Sequence, residues 1–201
     1  MARLIVFHEP FEPKSEKQVE IALSARESHH LVRVLRARRG DPVTVLDGRG
    51  GRSEARLAVD DPKQALLSAQ EREQVVRPRP ELVLVQALPK RKAWEEILKH
   101  CPELGVGRIV PVISTNVERK PENKSAKWNA ILQDGCKQAA NPWLPEIEPA
   151  VSLEAWLERT SSHGGLRCVA SLAGGAPALF SALGERARET IASAPEWHGL
   201  V

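Results

Sequence analysis

The sequence lacks the residues on which several common chemistries depend. It has no tyrosine, one methionine and three cysteines among 201 residues. Without tyrosine, no phenol is available as a general acid. Cys101, Cys136 and Cys168 lie far apart and lack CxxC spacing. No His or Cys pairs have ligand spacing either, so we expect no zinc or other metal site. The pattern predicts three reduced thiols, at least two of them in the core.

Long apolar runs are also absent. No stretch is long enough to cross a bilayer, and the N-terminal segment MARLIVFHEPFEP lacks the basic region and cleavage site of a secretory signal. We therefore expect a cytoplasmic protein without a membrane partner. The motifs GxxxxGK[ST], GxSxG and HExxH do not occur. Their absence argues against a P-loop nucleotidase, a serine hydrolase and a zinc protease.

Positive charge is concentrated in two parts of a chain whose net charge is only +3. Residues 77–145 contain 12 Lys or Arg against 7 Asp or Glu, whereas residues 146–201 contain 4 against 7. Between Ser28 and Gly40 there are four arginines and no acid. This distribution suggests a polyanionic partner, although a solvated basic face would give the same counts.

The first 75 residues have the pattern of a small β-barrel with one helix. The segments RLIVF, QVEIAL, PVTVLD, SEARLAV and ALLSAQ are short candidate strands. Glycines in the turn 47–51 predict a hairpin with positive φ angles. The capping box from Ser24 to Glu27 opens a helix. Its apolar stripe is expected to comprise Leu31, Val34 and Leu35.

The same helix should present a basic face to solvent. At helical spacing His29, Arg33 and Arg36 share one side, where the two arginines could contact phosphates. His30 lies nearer the apolar stripe, so we expect its ring to bond to the barrel rather than to a ligand.

A linker at 75–80, rich in proline, separates this half from an α/β half. Strands are predicted at about 82–88, 108–113 and 166–172, and helices at about 92–104, 123–140, 153–159 and 176–193. Pro102 should kink or shorten the last turn of helix 92–104. The expected buried stripe of that helix is Trp94, Ile97, Leu98, Cys101 and Leu104. That of helix 123–140 is Trp128, Ile131, Leu132, Cys136 and Ala139.

Two stretches carry a family resemblance. The segment ALPKRKAWEEILKHCPELGVGRIVPVIS contains a strand, a basic turn, a helix that closes in ELGV, and a second strand. The segment HHLVRVLRARRGD precedes the turn Asp47-Gly48. Together they resemble the ribosomal RNA small subunit methyltransferase E family, of the knotted (SPOUT) methyltransferases.

The resemblance implies a fold and an activity. The fold is a PUA-like RNA-binding β-barrel at 1–74, the linker at 75–80, and a parallel-sheet α/β trefoil-knot methyltransferase domain at 81–201. The activity is methylation of uridine N3 in 16S ribosomal RNA of the small subunit, with S-adenosylmethionine as cofactor. The resemblance also implies a homodimer.

Site residues follow by matching positions to the family pattern. The resemblance assigns RNA binding to Arg33, Arg36, Lys90, Arg91, Lys92 and Gln138. It assigns cofactor binding to Leu172, Ala173 and Gly174, where Gly-Gly after a strand permits close backbone approach. It identifies no catalytic residue. Trp143 could stack on a base, but packing is the expected use of this side chain.

The chain departs from the family in two places. Ala140 and Asn141 replace the Gly and Arg of the motif that contains Gln138. The family's G-P-E-G-G loop and L-R-T-E-T-A segment do not occur in these 201 residues. We therefore expect the methyltransferase domain to be C-terminally incomplete and the given chain to be inactive by itself. Two alternatives stay open, a non-catalytic RNA-binding protein and an α/β protein that binds a small ligand.

Overall fold

The computed structural model describes residues 4–8, 19–113, 125–161 and 167–170. The N-terminal half contains β1 (Ile5–Phe7), β2 (Val19–Ala22), α1 (Ala25–His29), a π-helix (His30–Val34), β3 (Pro42–Leu46), β4 (Gly51–Val59), β5 (Leu66–Ala69) and β6 (Glu73–Gln74). The C-terminal half contains β7 (Leu82–Ala87), α2 (Arg91–His100), β8 (Val106–Ile113), α3 (Ser125–Ala139), β9 (Glu146–Ile147), β10 (Val151–Ser152) and α4 (Leu153–Thr160).

The N-terminal half forms one six-stranded sheet, and the five predicted strands are confirmed. Its order is β1-β3-β4-β5-β2, with β6 added to β4. Only β1 and β3 run parallel among these pairs of described strands; the others are antiparallel. Alternate residues of β4 are buried, among them Ser53, Ala55 and Leu57, because successive side chains point to opposite faces. The sheet thereby covers an apolar core that also receives Leu31.

The predicted glycine turn between β3 and β4 is also confirmed. Gly48 and Gly50 have φ angles of 75° and 86°, a region that side chains disfavour. The buried carboxylate of Asp47 accepts the backbone N–H groups of Arg49 and Gly51, each at 2.7 Å. Arg72 pairs with the same carboxylate at 2.6 Å. These bonds hold the turn rigid at the edge where it meets the second half of the chain.

The predicted stripe of the first helix is wrong in two of its three members. Leu31 is fully buried, but Val34 is 56% exposed and Leu35 39% exposed, and Val32 is buried instead. The cause is the π-helix, in which the Leu35 N–H donates to the His30 carbonyl five residues earlier. A wider turn rotates the residues after Val32 away from the positions that α-helical spacing predicts.

The C-terminal half contains a parallel sheet, as predicted. Its order is β10-β8-β7, and β9 pairs with the start of β8; every pair is parallel. Helices α2 and α3 pack together over this sheet, and the rings of Trp94 and Trp128 meet edge to face with centroids 5.6 Å apart. Leu98 and Leu132 are fully buried between them. The two short strands β9 and β10 were not predicted from the sequence.

Several predicted boundaries in this half need correction. Helix α2 ends at His100 rather than 104, because Pro102 cannot continue the helical hydrogen bonding. Leu104 is therefore 71% exposed, although it was expected in the buried stripe. Residues 167–170 form no strand, contrary to the prediction for 166–172. The predicted helix at 176–193 lies outside the described residues.

Candidate functional site

An open cleft of about 850 Å³ lies between the two halves of the chain. Arg26, His29, His30 and Leu35 line its N-terminal wall, from α1 and the π-helix. Lys137 and Gln138 line its C-terminal wall, from the end of α3. The cleft thus brings the basic helix of the first domain against the Lys-Gln pair of the second.

Two ion pairs connect α1 to α3 across the cleft. Glu27 and Lys137 are joined at 2.9 Å, with only 7% and 10% of their side chains exposed. The other carboxylate oxygen of Glu27 accepts the backbone N–H of Phe7 at 3.0 Å. The second pair, between Arg26 and Asp134, is 3.1 Å long and about half exposed on both sides. A buried charge pair and a strand N–H therefore set the position of α3 against the N-terminal sheet.

A second contact between the halves uses the backbone of the glycine turn. The Gly50 N–H donates to the Pro142 carbonyl, and the Leu144 N–H donates to the Gly48 carbonyl, both at 3.0 Å. A Cβ on Gly50 would lie 2.3 Å from the Trp143 ring, so this approach requires glycine. The Arg77 guanidinium lies over the same side chain, 5.4 Å from the ring centroid. Trp143 is therefore used for packing, as predicted.

Ala140 and Asn141, the two residues that depart from the family motif, directly follow α3. Ala140 has a φ of 51°, a left-handed conformation that favours the glycine of the family pattern. The Asn141 amide donates to the Pro102 carbonyl at 3.0 Å, and its oxygen accepts the Trp143 N–H at 2.9 Å. Asn141 thus ties the end of α3 to the end of α2, a role within the protein.

The arginines around the π-helix are exposed, and no acidic residue lies between Ser28 and Gly40. The next acid along the chain, Asp41, accepts the backbone N–H of Arg38 at 2.8 Å. Among the residues that the structure describes, none forms an ion pair with Arg33, Arg36, Arg38 or Arg39. Arg36 has a φ of 58°, which turns the chain immediately after the π-helix. Unpaired guanidinium groups on a rigid turn are suited to bidentate contacts with phosphate.

The basic turn from Lys90 to Lys92 lies elsewhere, after the C-terminal end of β7. Arg91 donates to Glu95 at 3.0 Å, and Lys127 also pairs with Glu95. The hydrogen bond from Lys127, and then the one from Arg91, lowers the pKa of Glu95. Lys90 and Lys92 are exposed and form no ion pair within the described part of the chain. Two of the three cations are thus available to a ligand.

The predicted site residues do not all meet in one place. Of those within the described ranges, only Gln138 lines the cleft. Arg36 directly follows the cleft-lining residue Leu35, and Arg33 lies two residues before it. The basic turn is not among the lining residues that the structure describes. Leu172, Ala173 and Gly174 lie outside the described residues. Their assignment to the cofactor stays a prediction.

The structure also adds residues to the candidate site. Arg26, His29 and Lys137 line the cleft but were not assigned to it from the sequence. His30 was expected to bond to the barrel; it instead lines the cleft, and its side chain makes no hydrogen bond to the described residues. The sequence offered only proximity along the chain as a signal for these residues. Lys137 precedes Gln138, and His29 and His30 follow the capping box.

The described residues contain neither a metal-binding cluster nor a membrane-spanning helix. No group of three or more His, Cys, Asp or Glu side chains in these ranges could hold a metal ion. No helix within them is both long enough and apolar enough to cross a membrane.

Burial raises the pKa of the Cys101 thiol to about 11 and that of Cys136 to about 12. Both thiols are therefore protonated core groups rather than nucleophiles.

Comparison with known proteins assigns both halves. A family model described as an RNA methyltransferase domain matches residues 77–192, and one described as an RNA methyltransferase PUA domain matches residues 23–70. Ribosomal RNA small subunit methyltransferase E of Synechocystis sp. is 30% identical over 165 residues, which are 80% of this chain and 54% of that protein. The chain spans about half the length of this curated relative.

Solved structures agree on the fold. A methyltransferase from Legionella pneumophila, solved with bound SAM, has a TM-score of 0.71 and 22% identity, covering 81% of this chain and 69% of that one. Ribosomal RNA small subunit methyltransferase E from Neisseria gonorrhoeae, bound to S-adenosyl methionine, has a TM-score of 0.69 and 23% identity, covering 80% and 67%. The predicted PUA-like domain followed by a parallel-sheet methyltransferase domain is confirmed. The chain belongs to the RNA methyltransferase family, as a relative of ribosomal RNA small subunit methyltransferase E.

Proposed function

We propose that this protein methylates N3 of a uridine in 16S ribosomal RNA, with S-adenosylmethionine as the methyl donor. The observation that carries the proposal is the cleft between the PUA-like and methyltransferase domains. It places His29, His30 and Arg26 of the first domain opposite Lys137 and Gln138 of the second. A substrate bound there would contact both domains at once.

Membership of the RNA methyltransferase family supports RNA as the substrate class. The unpaired arginines around the π-helix supply the positive charge that a phosphate backbone requires. Recognition of RNA sequence usually targets unpaired bases, which can be presented out of the stack. An open cleft lined by imidazole, amide and guanidinium groups offers donors to such a base.

The roles within the proposed reaction divide between the domains. Arg33 and Arg36 would hold phosphates beside the cleft, Lys90, Arg91 and Lys92 would hold a second stretch of backbone, and Gln138 would contact the target region. Leu172, Ala173 and Gly174 would border S-adenosylmethionine, which supplies an electrophilic methyl group when bound. Transfer from sulfur to nitrogen calls for alignment and loss of the N3 proton, and we propose no metal.

A transfer assay tests the reaction. The full-length natural protein would be used, because the 201 residues alone are expected to be inactive. It would be incubated with small ribosomal subunits and S-adenosylmethionine labelled in the methyl group, and the RNA would then be digested to nucleosides. Labelled N3-methyluridine is the expected product. Another labelled nucleoside would contradict the uridine assignment. RNA binding without binding of S-adenosylmethionine would instead favour a non-catalytic RNA-binding protein.

The phosphate contacts have a separate test that needs no turnover. We expect Arg33→Ala with Arg36→Ala to weaken RNA binding and to reduce the slope of log affinity against log salt by about 1.4, at roughly 0.7 per phosphate contact on a single strand. Binding titrations over a range of salt measure both quantities. Lys63→Ala, at an exposed loop cation of the same domain, is the control. An unchanged slope in the double variant would remove the role of these arginines.

We further propose a homodimer that acts in the cytoplasm, as the family resemblance implies. Sedimentation velocity gives the oligomeric state directly. A monomer at concentrations where RNA is bound would contradict the dimer without affecting the RNA contacts.

A further inference from the structure

Val34 and Leu35 form an exposed apolar pair where burial was expected. They are 56% and 39% exposed, while Leu31 and Val32 of the same helix are 0% and 7% exposed. The π-turn produces this arrangement, since the Leu35 N–H bonds to the His30 carbonyl. Leaving two neighbouring aliphatic side chains in water costs free energy in proportion to their area. Single π-turns frequently occur at functional sites, so the exposed pair is a candidate contact surface.

The surroundings of the pair are strongly basic. Arg33 precedes it and Arg36 follows it, and both are exposed. In the chain between Ser28 and Gly40 there is no acid. Leu35 also lines the cleft between the domains, on the same wall as His29 and His30. The apolar pair therefore lies between unpaired guanidinium groups and a cleft with hydrogen-bond donors.

We propose that Val34 and Leu35 are the contact surface for an unstacked base of the bound RNA. The inference rests on the proposed RNA-binding function and adds a specificity for single-stranded over duplex RNA. A single strand presents a phosphate and an apolar base face within one nucleotide, which matches the alternation of arginine and aliphatic side chains here. A duplex presents phosphates but hides its base faces.

Charge complementarity favours RNA over a second copy of the chain as the occupant. Two copies that met through this surface would bring eight arginines together, since each carries four between Ser28 and Gly40. Like charges at such a contact oppose association. RNA neutralises the arginines while it covers the aliphatic side chains, so both features are satisfied by one ligand.

The test compares two RNA probes and three variants of the full chain. The probes are a labelled single-stranded RNA of mixed sequence and the same strand annealed to its complement. The variants are Val34→Ala with Leu35→Ala, Arg33→Ala with Arg36→Ala, and the control Val59→Ala. Val59 is 42% exposed at the end of β4, so it matches Leu35 in exposure without lining the cleft. Affinities would be measured over a range of salt.

The aliphatic variant should bind the single strand about tenfold more weakly, the scale expected for losing part of two buried aliphatic side chains. Its duplex affinity and its salt slope should match those of the unchanged chain, because no phosphate contact is removed. The arginine variant should lose affinity for both probes and show a lower slope. Val59→Ala should change neither the affinity for the two probes nor the salt slope.

Three outcomes would overturn the proposal. One is equal binding of the single strand by the aliphatic variant and the unchanged chain. Another is an equal loss for single strand and duplex. The third is a changed sedimentation coefficient in the aliphatic variant, which would identify the pair as a contact between copies. A chain that binds neither RNA probe would refute the proposed function itself, a result distinct from these three.

Discussion

The buried pair of Glu27 and Lys137 gives the sharpest prediction about stability. Replacement of Lys137 by methionine keeps the aliphatic stem but removes the charge that faces Glu27 at 2.9 Å. Glu27 then retains only the Phe7 N–H at 3.0 Å for a carboxylate that is 7% exposed. Breaking a buried pair from one side typically costs about 3–5 kcal/mol. The cleft admits water beside the pair, so we expect the lower end, about 3 kcal/mol.

A matched control exists on the same two helices. Arg26→Ala removes the Arg26–Asp134 pair, which also joins α1 to α3 but is about half exposed on each side. Exposed pairs contribute roughly 0–1 kcal/mol, so the control should change the free energy of unfolding by less than about 1 kcal/mol. Each variant breaks one ionic link between α1 and α3, so the comparison tests the effect of burial. Lys137→Met also removes the contact of Lys137 with Asp134 at 3.0 Å within α3, but Asp134 is half exposed, so this contact should contribute less than about 1 kcal/mol.

The assay is urea unfolding followed by two signals. All five tryptophans lie at or after position 94, so their fluorescence reports the C-terminal domain, whereas circular dichroism reports both domains. The two transitions should coincide in the unchanged chain and separate in Lys137→Met, because the pair couples the domains. A double-mutant cycle with Glu27→Gln should show a coupling of about 2 kcal/mol. Equal unfolding free energies for Lys137→Met and Arg26→Ala would refute the reasoning.

Local patterns in the sequence predicted most elements because they depend on neighbouring residues. Short runs of alternating apolar and polar residues predicted the strands of the first sheet. Glycines at 48 and 50 predicted a turn with positive φ. Pro102 predicted that helix α2 would be cut short. Each of these features follows from sterics or hydrogen bonding within a few residues, so a single sequence contains the necessary information.

The π-turn could not be predicted in this way. The apolar residues Leu31, Val34 and Leu35 fit α-helical spacing, and spacing cannot reveal where one turn takes up an additional residue. The wider turn places Leu31, Val32 and Ala37 in the N-terminal core, whose burial stabilises it. Tertiary packing decided between two helical windings, and the exposed pair at 34 and 35 is its consequence.

The cleft between the domains also could not be predicted from neighbouring residues in the sequence. Glu27 and Lys137 are 110 residues apart in the chain, and neither has a neighbour that identifies the other. The resemblance to the family identified Gln138. The residues opposite it could be identified only from the fold, which places α1 beside α3. Long-range ion pairs obey charge and geometry rather than spacing, so the structure adds most where two domains meet.

Two further predictions concern the core of the C-terminal domain. Only Cys168 of the three thiols should react rapidly with a disulfide reagent near pH 8, because it is exposed, whereas burial raises the pKa values of Cys101 and Cys136 to about 11 and about 12. The number of cysteines that react with the reagent in folded and in unfolded protein measures this. Three rapidly reacting cysteines in the folded protein would contradict the burial of Cys101 and Cys136. Gly135→Ala should destabilise the fold by about 1–3 kcal/mol, as overpacking does. Its Cβ would lie 2.5 Å from the Lys99 carbonyl oxygen, and a backbone atom of α2 cannot move aside as a flexible side chain could. Alanine in a helix is otherwise favoured over glycine by about 1 kcal/mol, so a stabilised variant in thermal unfolding would show that α2 and α3 approach less closely than the structure indicates.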